Sequence, residues 1–247
     1  MSDDALRNGA RYGDMADGMA DGMVMAEGLA KSFVSGDGTS TTVFSDVSFS
    51  ASGGMTAITG PSGCGKSTLL YCLSGLESPS RGSVRVLGER LDGKDQRGLA
   101  LFRRSHIGFV FQAYNLVPSM TVRDNILLPL TLARRKADRE RLSALMEKFR
   151  LSGHEGAIAG SLSGGEQQRV ALVRTLVADP DVVFADEPTG ALDRSTGQLV
   201  FDELRGFPHR PGKCVIVVTH DPGLAQQCDA VYKMRDGKLA APGRGEL

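Results

Sequence analysis

The sequence lacks the features that mark a membrane-spanning, secreted or nucleic-acid-binding chain. Its uninterrupted apolar runs, such as Ile126–Leu128 and Val215–Val218, are far shorter than the roughly 18 residues that span a bilayer. The acidic N-terminus has no apolar stretch, so we expect no secretory signal. Lysine and arginine number 29, as do aspartate and glutamate, and this balance provides no basic field that would recruit nucleic acid.

Cysteine is also scarce, and its spacing fits no known framework. Cys64, Cys72, Cys214 and Cys228 match neither a zinc-binding pattern nor the cysteine pattern of a small disulfide-rich protein. We therefore expect reduced thiols in a cytosolic protein. The length of 247 residues, with 41% apolar and 23% charged residues, fits one large domain or one domain with an inserted subdomain.

The N-terminal segment differs in composition from the rest of the chain. Asp14–Met23 reads DMADGMADGM, an imperfect acidic repeat interrupted by glycine. Glycine disfavours helix interiors and the segment has little to bury, so we predict that residues 1–22 form a disordered extension. The alternative is a docked helix with Met15, Met19 and Met23 on one face.

From residue 23 onwards, short apolar runs alternate with longer helical patterns. The predicted strands are Val43–Phe49, Met55–Thr59, Ser83–Leu87, Ile107–Phe111, Asp181–Ala185, Cys214–Thr219 and Val231–Met234. The predicted helices are Lys66–Leu76, Thr121–Leu151, Gly165–Val177 and Ser195–Arg205. Such alternation predicts an α/β domain over residues 23–247, with a parallel sheet covered on both faces. Residues 113–160 contain no predicted strand and are assigned to an inserted helical subdomain.

A glycine-rich segment between a predicted strand and a predicted helix reads GPSGCGKST. It matches the phosphate-binding P-loop pattern G-x-x-x-x-G-K-S, and the flanking elements are those of a true P-loop rather than a chance match in a turn. Its backbone N–H groups would surround the β-phosphate, Lys66 would contact the β and γ oxygens, and Ser67 would bind Mg²⁺. The predicted nucleotide-binding residues of this loop are Gly60, Pro61, Ser62, Gly63, Cys64, Gly65, Lys66, Ser67 and Thr68.

Two carboxylates follow the apolar run that ends at Ala185. A strand buried on both faces presents charge only at its carboxyl end, where α/β sheets bind ligands. Asp186 there suits Mg²⁺ through a water molecule, and Glu187 suits orienting and polarising the attacking water. The alternative is an acidic pair that caps the next helix. The P-loop upstream favours the catalytic interpretation.

A third motif, LSGGEQQR from Leu162 onwards, closely resembles the LSGGQ signature of the ATP-binding cassette (ABC) ATPases. Ser163 is suited to cap a helix, and the two glycines allow its N-terminus to approach an anion closely. Because the chain already has one phosphate-binding loop, the resemblance implies that this second one contacts the ATP of a neighbouring copy. The residues concerned are Ser163, Gly164, Gly165 and Glu166.

Further positions match the same family. Gln112 matches the glutamine that reaches Mg²⁺ and links to the membrane partner, and His220 matches the histidine that contacts the γ-phosphate. A lone histidine at a strand end is more often structural, and only the other motifs favour a catalytic role here. Asp193, in Ala191–Asp193, matches the loop where two cassettes touch. Phe33 occupies the place of the aromatic residue, often tyrosine, that stacks on adenine.

The resemblance covers about residues 24–240 and is strongest to the macrolide-export, lipoprotein-release and cell-division group. It implies a P-loop NTPase fold with a mostly parallel core sheet, an antiparallel β edge and an inserted helical subdomain. It also implies an Mg²⁺-dependent ATP-hydrolysing subunit that forms a head-to-tail dimer and powers a separate transmembrane permease, in an exporter or a mechanotransmission complex. Such a chain lies in the cytoplasm on the inner face of the membrane and binds no nucleic acid.

Two other classes remain as alternatives. A translation or DNA-repair ABC ATPase would carry two cassettes or a long coiled-coil or zinc insertion, which this sequence lacks. A P-loop kinase or GTPase would lack the signature motif. A last hypothesis concerns Ala113–Val122, a largely apolar loop after Gln112, which we expect to couple the site to a helix of the permease. The alternative is that these side chains pack under the helical subdomain.

Overall fold

The structure, a computed structural model, describes residues 22–190 and 192–240. The predicted N-terminal extension, residues 1–22, lies outside the described residues except for Gly22, and Ala191 also lies outside them. The strands are β1 Val24–Val34, β2 Ser40–Ala51, β3 Gly54–Thr59, β4 Arg81–Val86, β5 Glu89–Arg90, β6 Ile107–Val110, β7 Val182–Asp186, β8 Cys214–Val218, β9 Ala230–Arg235 and β10 Lys238–Leu239. The α-helices are α1 Lys66–Leu73, α2 Gln96–His106, α3 Val122–Leu132, α4 Arg139–Lys148, α5 Gly164–Val177, α6 Arg194–Gly206 and α7 Pro222–Ala225.

The central sheet has the strand order β10-β9-β3-β8-β7-β6, and all of its neighbours are parallel except β10 and β9. Every residue of β7 and β8 is buried, because both faces of the sheet are covered. Alternate side chains pack on opposite faces: Val183 and Ala185 lie in the cluster with α3 to α6, while Val182 and Phe184 lie with α1 and α2. The predicted mostly parallel core sheet is confirmed.

A second sheet covers one face of the first. It has the order β2-β1-β4-β5, and all of its strands pair antiparallel. Its buried side chains, such as Leu29, Phe44 and Val84, share one apolar cluster with Leu69 and Leu70 of α1. The antiparallel β portion predicted for the fold is therefore present, and it places β2 beside the P-loop.

Residues 113–160 contain α3, α4 and the short 3-10 helix Ala159–Ser161. The prediction of a helix throughout Thr121–Leu151 was wrong, because the chain turns between α3 and α4. Arg134 there adopts a left-handed conformation with φ 53°, and the carboxylate of Asp138 accepts the N–H groups that begin α4. The subdomain boundary itself stays a prediction. Among the described residues, none of the helices is long and apolar enough to cross a membrane.

The helix α2 was missed by the sequence analysis. Its residues are mostly polar, and only Leu99 and Phe102 are buried, so the apolar pattern is too sparse to indicate a helix. The side chain of Asp95 caps it by accepting the N–H of Gly98 at 2.7 Å. This helix leads directly into β6 and forms one wall of a groove described below.

Candidate functional site

Four parallel strands bring the predicted functional residues to one edge of the central sheet. Ile58 of β3 pairs with Val218 of β8, Asp186 of β7 pairs with the same residue, and Val110 of β6 pairs with Ala185. Because the strands run in the same direction, the segments that follow them all emerge at this carboxyl edge. These segments contain the predicted residues: the P-loop follows β3, Gln112 follows β6, Glu187 follows β7 and His220 follows β8.

The P-loop requires glycine at two positions for steric reasons. A Cβ atom on Gly60 would lie 2.1 Å from the backbone oxygen of Met234 in β9. Gly65 has φ 101°, a conformation that other residues rarely adopt, and a Cβ atom there would lie 2.8 Å from the side chain of Val43 in β2. The loop is therefore tightly packed between β9 and β2, which fixes the course of its backbone.

Lys66 begins helix α1 and reaches back into the loop. Its Nζ donates to the backbone oxygens of Gly60 at 2.9 Å and Pro61 at 2.8 Å. The helix has Gly65 at its N-cap and no side-chain cap, so its first N–H groups are free to bind an anion. The Cys64 thiol donates to the backbone oxygen of Met234 in β9, at 3.5 Å.

Asp186 is buried, with 1% of its surface exposed, and both of its carboxylate oxygens are occupied. Oδ1 accepts from the Ser67 hydroxyl at 2.9 Å, as expected for two residues predicted to share a metal. Oδ2 accepts from the hydroxyl of Tyr71, also at 2.9 Å. Burial and the nearby Asp186 charge raise the pKa of Tyr71 to about 12. Sequence analysis missed Tyr71, although it lies four positions after Ser67 and hence on the same face of α1.

Glu187 and His220 meet at the same edge. The Nδ1 atom of His220 lies 2.8 Å from Oε2 of Glu187, although the two residues come from different strand ends. Glu187 has φ 47°, and its N–H donates to the backbone oxygen of Val218, which turns its side chain toward His220. The Glu187 side chain is mostly buried, whereas the His220 side chain is 70% exposed. The structure therefore brings these two predicted residues together.

The signature segment forms the N-terminus of α5 through a capping box. The hydroxyl of Ser163 accepts the N–H of Glu166 at 3.4 Å, and the carboxylate of Glu166 accepts the N–H of Ser163 at 2.9 Å. These bonds lower the pKa of Glu166. Ser163 and Gly164 are exposed, and within the described residues this segment makes no hydrogen bond to the P-loop of its own chain.

The remaining predicted residues lie nearer the rim. Gln112 is exposed and follows the end of β6, directly beside β7. Phe33 is 45% exposed near the end of β1, with Lys31 Nζ 4.6 Å from its ring centre. Asp193 caps α6, and its carboxylate accepts four hydrogen bonds from Ser195 and Thr196 that hold its pKa well below the usual range. Its predicted nucleotide contact stays a prediction.

Two side chains of α5 that were not predicted contact the functional loops. Gln168 is 1% exposed and donates to the backbone oxygen of Pro188, next to Glu187, at 2.8 Å. Arg174 donates to the backbone oxygens of Tyr114 at 2.8 Å and Asn115 at 2.6 Å, where the chain leaves Gln112. Both Tyr114 and Asn115 have left-handed conformations. Arg174, a charged residue within the apolar second half of α5, was an available signal, since buried polar groups need partners. Gln168 lies in a polar stretch and gave no such signal.

The chain is similar to known proteins over most of its length. Residues 44–190 match the ABC transporter family model. The lipoprotein-releasing system ATP-binding protein LolD of Bordetella pertussis is 44% identical over 200 residues, which are 80% of this chain and 87% of LolD. The macrolide export ATP-binding/permease protein MacB of Chromobacterium violaceum is 42% identical over 216 residues, 86% of this chain and 33% of MacB.

Solved structures give the same result. The dimeric, post-hydrolysis structure of the ATP-binding cassette MJ0796, bound to ADP and Pi, aligns with a TM-score of 0.84 and 33% identity over 91% of this chain and all of that one. The chain therefore belongs to the ABC transporter family, as an ATP-binding and ATP-hydrolysing subunit.

Proposed function

We propose that ATP is bound with Mg²⁺ and hydrolysed at the carboxyl edge of the central sheet. The observation that carries this proposal is the presence of two hydrogen-bonded pairs side by side, Ser67 with Asp186 and Glu187 with His220. Phosphoryl transfer needs a metal-binding group and a water-orienting group on the same phosphate, and consecutive residues of one strand end supply them here.

The phosphates bind to the P-loop and to the N-terminus of α1. Its uncapped N–H groups and the helix dipole favour a negative charge at this point. Within residues 22–190 and 192–240, the partners of Lys66 Nζ are two neutral carbonyl oxygens, and a phosphate offers stronger, charge-assisted bonds. At the rim, the half-exposed ring of Phe33 stacks on adenine.

The residues around Asp186 fit Mg²⁺. The ion prefers hard oxygen ligands, and a serine hydroxyl and a carboxylate lie within hydrogen-bonding distance of one another. Among the described residues, no lysine, arginine or histidine forms an ion pair with Asp186, so its charge is not neutralised by the protein. Ser67 and Asp186 would hold the ion, and Gln112 would reach it from the end of β6. When bound, Mg²⁺ withdraws charge from the phosphate oxygens.

Glu187 orients the attacking water. Its carboxylate is mostly buried yet borders the exposed His220, so a water molecule can approach its free oxygen from the phosphate side. The hydrogen bond to His220 fixes the carboxylate in one direction. Because a carboxylate only accepts, Nδ1 of His220 donates to Glu187. The second ring nitrogen can then donate to the γ-phosphate only when the imidazole carries a proton on both nitrogens.

The signature segment completes the site of a second copy. Ser163 and Gly164 are exposed at a helix N-terminus, and their hydrogen bonds remain within the start of α5. A head-to-tail dimer places this N-terminus against the γ-phosphate bound by the partner's P-loop, together with Gly165 and Glu166. The segment around Asp193 lies at the same dimer interface.

The permease contacts a groove between α2 and α3. This groove has a volume of about 550 Å³ and an apolar floor that includes Phe109 and Phe111, and Leu101 and Leu132 are exposed at its walls. Arg174 lies at its base. Other lining residues of the groove include Arg97, Arg104, Asn115, Leu128 and Pro129. An amphipathic cytoplasmic helix of the permease, with an apolar face and carboxylates for the arginines, suits this surface.

The loop Ala113–Val122 contributes to this coupling in a more limited way than its composition indicates. A Cβ atom on Gly164 would lie 2.9 Å from the Tyr114 hydroxyl, so Tyr114 lies against the signature helix. Leu116 packs on the apolar cluster of the helical segment. Only Val117 is an exposed large apolar residue of the loop. The coupling surface is therefore the groove, and the loop connects it to Gln112.

The chain lies in the cytoplasm on the inner face of the membrane, held there by its permease. We further propose that transport is outward, because the curated relatives include proteins named for lipoprotein release and macrolide export. The cargo is selected by the permease. A membrane protein that purifies together with this chain would identify the transported class.

Glu187→Gln tests the proposed chemistry. The substitution keeps the shape and the hydrogen bond to His220 but removes the charge that polarises water. Turnover should fall on the order of 10²-fold or more, and an ATP-bound dimer should accumulate in size measurements. Glu147→Gln, at an exposed position of α4, is the control and should behave as wild type. A Glu187→Gln chain that hydrolyses ATP at the normal rate contradicts the assignment.

A further inference from the structure

Tyr71 contacts Asp186 directly, and neither the P-loop pattern nor the acidic strand end accounts for this contact. It lies on α1 one turn after Ser67, and both hydroxyls point at the same carboxylate. Ser67 donates to Oδ1 of Asp186 and Tyr71 donates to Oδ2, each at 2.9 Å. Helix α1 therefore holds Asp186 at two points, and only one of them belongs to the P-loop.

The two hydroxyls have different consequences for the charge of Asp186. A carboxylate that is 99% buried needs hydrogen bonds to remain in place, and a cationic partner would satisfy it but cancel its charge. Hydroxyl groups satisfy the oxygens and leave the negative charge intact. A buried carboxylate with two neutral donors is oriented and still able to attract a cation.

The Tyr71 ring is itself held firmly. Its centre lies 5.7 Å from that of Phe109, which stacks on Phe111 at 4.1 Å. The Tyr71 backbone oxygen accepts hydrogen bonds from the Ser74 hydroxyl and from the N–H groups of Leu76 and Glu77. These contacts hold both the ring and the backbone of Tyr71, so its hydroxyl has a defined position beside Asp186.

We propose that Tyr71 is a positioning residue for Asp186. Its hydroxyl fixes Oδ2 so that Oδ1 faces the metal side of the site, and it does so without neutralising the carboxylate. Partners that orient a metal-binding carboxylate typically change metal affinity by about 10–100-fold when removed. The inference rests on the proposed Mg²⁺ site at Ser67 and Asp186.

The test uses the full chain and a fluorescent ATP analogue, and it measures nucleotide affinity in the presence of Mg²⁺ and in the presence of EDTA. Tyr71→Phe removes one hydroxyl and keeps the ring against Phe109. We expect it to leave affinity in EDTA unchanged and to raise the Mg²⁺ concentration required for tight binding by about 10-fold. Tyr232→Phe is the matched control, because its buried hydroxyl also makes two hydrogen bonds, both to the backbone of Ser50 on β2. It should leave the Mg²⁺ requirement unchanged.

Two further variants separate the possible results. Tyr71→Leu also lacks the hydroxyl but fills less space, so an equal shift in Tyr71→Phe and Tyr71→Leu assigns the effect to the hydroxyl. A shift in Tyr71→Leu alone, or in neither variant, makes Tyr71 a packing residue and overturns the inference. Asp186→Asn tests the underlying site: if Asp186→Asn does not alter the Mg²⁺ dependence of binding, the proposed metal site itself is wrong.

Discussion

The P-loop and the signature segment are both helix N-termini, but they are completed in opposite ways. Helix α1 has Gly65 at its N-cap and no side-chain cap, and Lys66 supplies a cation beside its free N–H groups. Helix α5 has Ser163 at its N-cap in a capping box, and the carboxylate of Glu166 lies beside its first turn. The first arrangement suits an anion bound by its own chain. The second is stable by itself and can accept an anion brought by another molecule.

The two segments also differ in how closely their own chain surrounds them. The P-loop is packed so closely against β9 and β2 that Gly60 and Gly65 cannot carry a side chain without clashes. Ser163 and Gly164 are exposed. Under the proposed function, the P-loop is therefore the complete half, because its phosphate contacts lie within one copy. The signature segment is the incomplete half, because it would contact the nucleotide bound to a second copy. This difference favours a dimer in which the signature segment of each copy lies against the P-loop of the other.

The largest expected effect is on ATP affinity, and it comes from a substitution in the P-loop, the complete half. Lys66→Ala removes the only cation of the P-loop and should weaken ATP binding by about 10²-fold or more, the scale for truncating one partner of a buried charge-assisted contact. Lys94→Ala, which removes a lysine paired with Glu89 away from the edge, is the control. Binding of a fluorescent ATP analogue measures the effect. Near-normal affinity and turnover in Lys66→Ala would contradict the P-loop assignment.

A substitution in the signature segment, the incomplete half, should affect dimer formation rather than ATP binding. Ser163→Asp keeps a residue that can cap α5 but places a negative charge toward the partner's γ-phosphate. We expect each monomer to bind ATP normally while the dimer no longer forms and hydrolysis is lost. Size measurements with ATP and steady-state ATPase assays separate these effects. A Ser163→Asp chain that loses ATP binding as a monomer would show that the segment acts within its own chain.

Mixing the two variants sharpens the comparison further. A dimer of one Lys66→Ala chain and one Ser163→Asp chain has one site built from two intact halves and one built from two defective halves. The mixture should therefore recover part of the wild-type activity, at most the share that comes from the one intact site of each mixed dimer. Each variant alone should remain inactive. No recovery on mixing would contradict the head-to-tail arrangement.

The difference between the halves also explains which parts were predictable from sequence. The central strands and the P-loop are determined locally, by apolar runs and by glycines at positions where a side chain does not fit, and they were predicted correctly as a fold. Helix α2 was missed because it buries only Leu99 and Phe102. The break in Thr121–Leu151 was missed because a capping aspartate, Asp138, was not recognised within a polar stretch.

The residues of the candidate site were predictable only where each of them belongs to a recognisable sequence motif. The pairings of Ser67 with Asp186 and of Glu187 with His220 join distant parts of the chain, yet each partner carried its own motif. Tyr71 and Arg174 carry none, because their roles depend on what the fold places opposite them. Gln168 is similar, since its contact with Pro188 depends on how α5 packs beside the end of β7.

A smaller effect should come from the groove that links the signature half to the permease. Leu132→Asp places a charge on the groove wall formed by the end of α3, where Leu132 is 59% exposed. Helix α3 packs beside α5. Basal ATPase activity of the isolated chain should remain within about twofold, as for other surface substitutions. Stimulation by the permease should be lost. Leu76→Asp, at an exposed position outside the groove, is the control, and normal coupling in Leu132→Asp would place the permease contact elsewhere.

The smallest expected effect concerns the capping box itself. Its hydrogen bonds lower the pKa of Glu166 below the ordinary value of 4.5, so the ionised form is bound more tightly in the folded chain than in the unfolded one. This contribution is fully present above the unfolded pKa and is lost as the pH falls through the lower, folded pKa. Glu166→Gln should therefore be less stable than wild type at pH 7, by under ~1 kcal/mol because the side chain is partly exposed to solvent.

The difference between wild type and Glu166→Gln should shrink as the pH is lowered from about 5 to about 3. Urea unfolding midpoints across that range measure it. Glu147→Gln, an exposed residue of the same charge on α4, controls for the general loss of a carboxylate. If both variants follow the same pH dependence, the capping box does not stabilise α5 through the charge of Glu166. The N-terminus of α5 would then depend on the second copy for its stability. It would differ even more from the P-loop, which is packed tightly within its own chain.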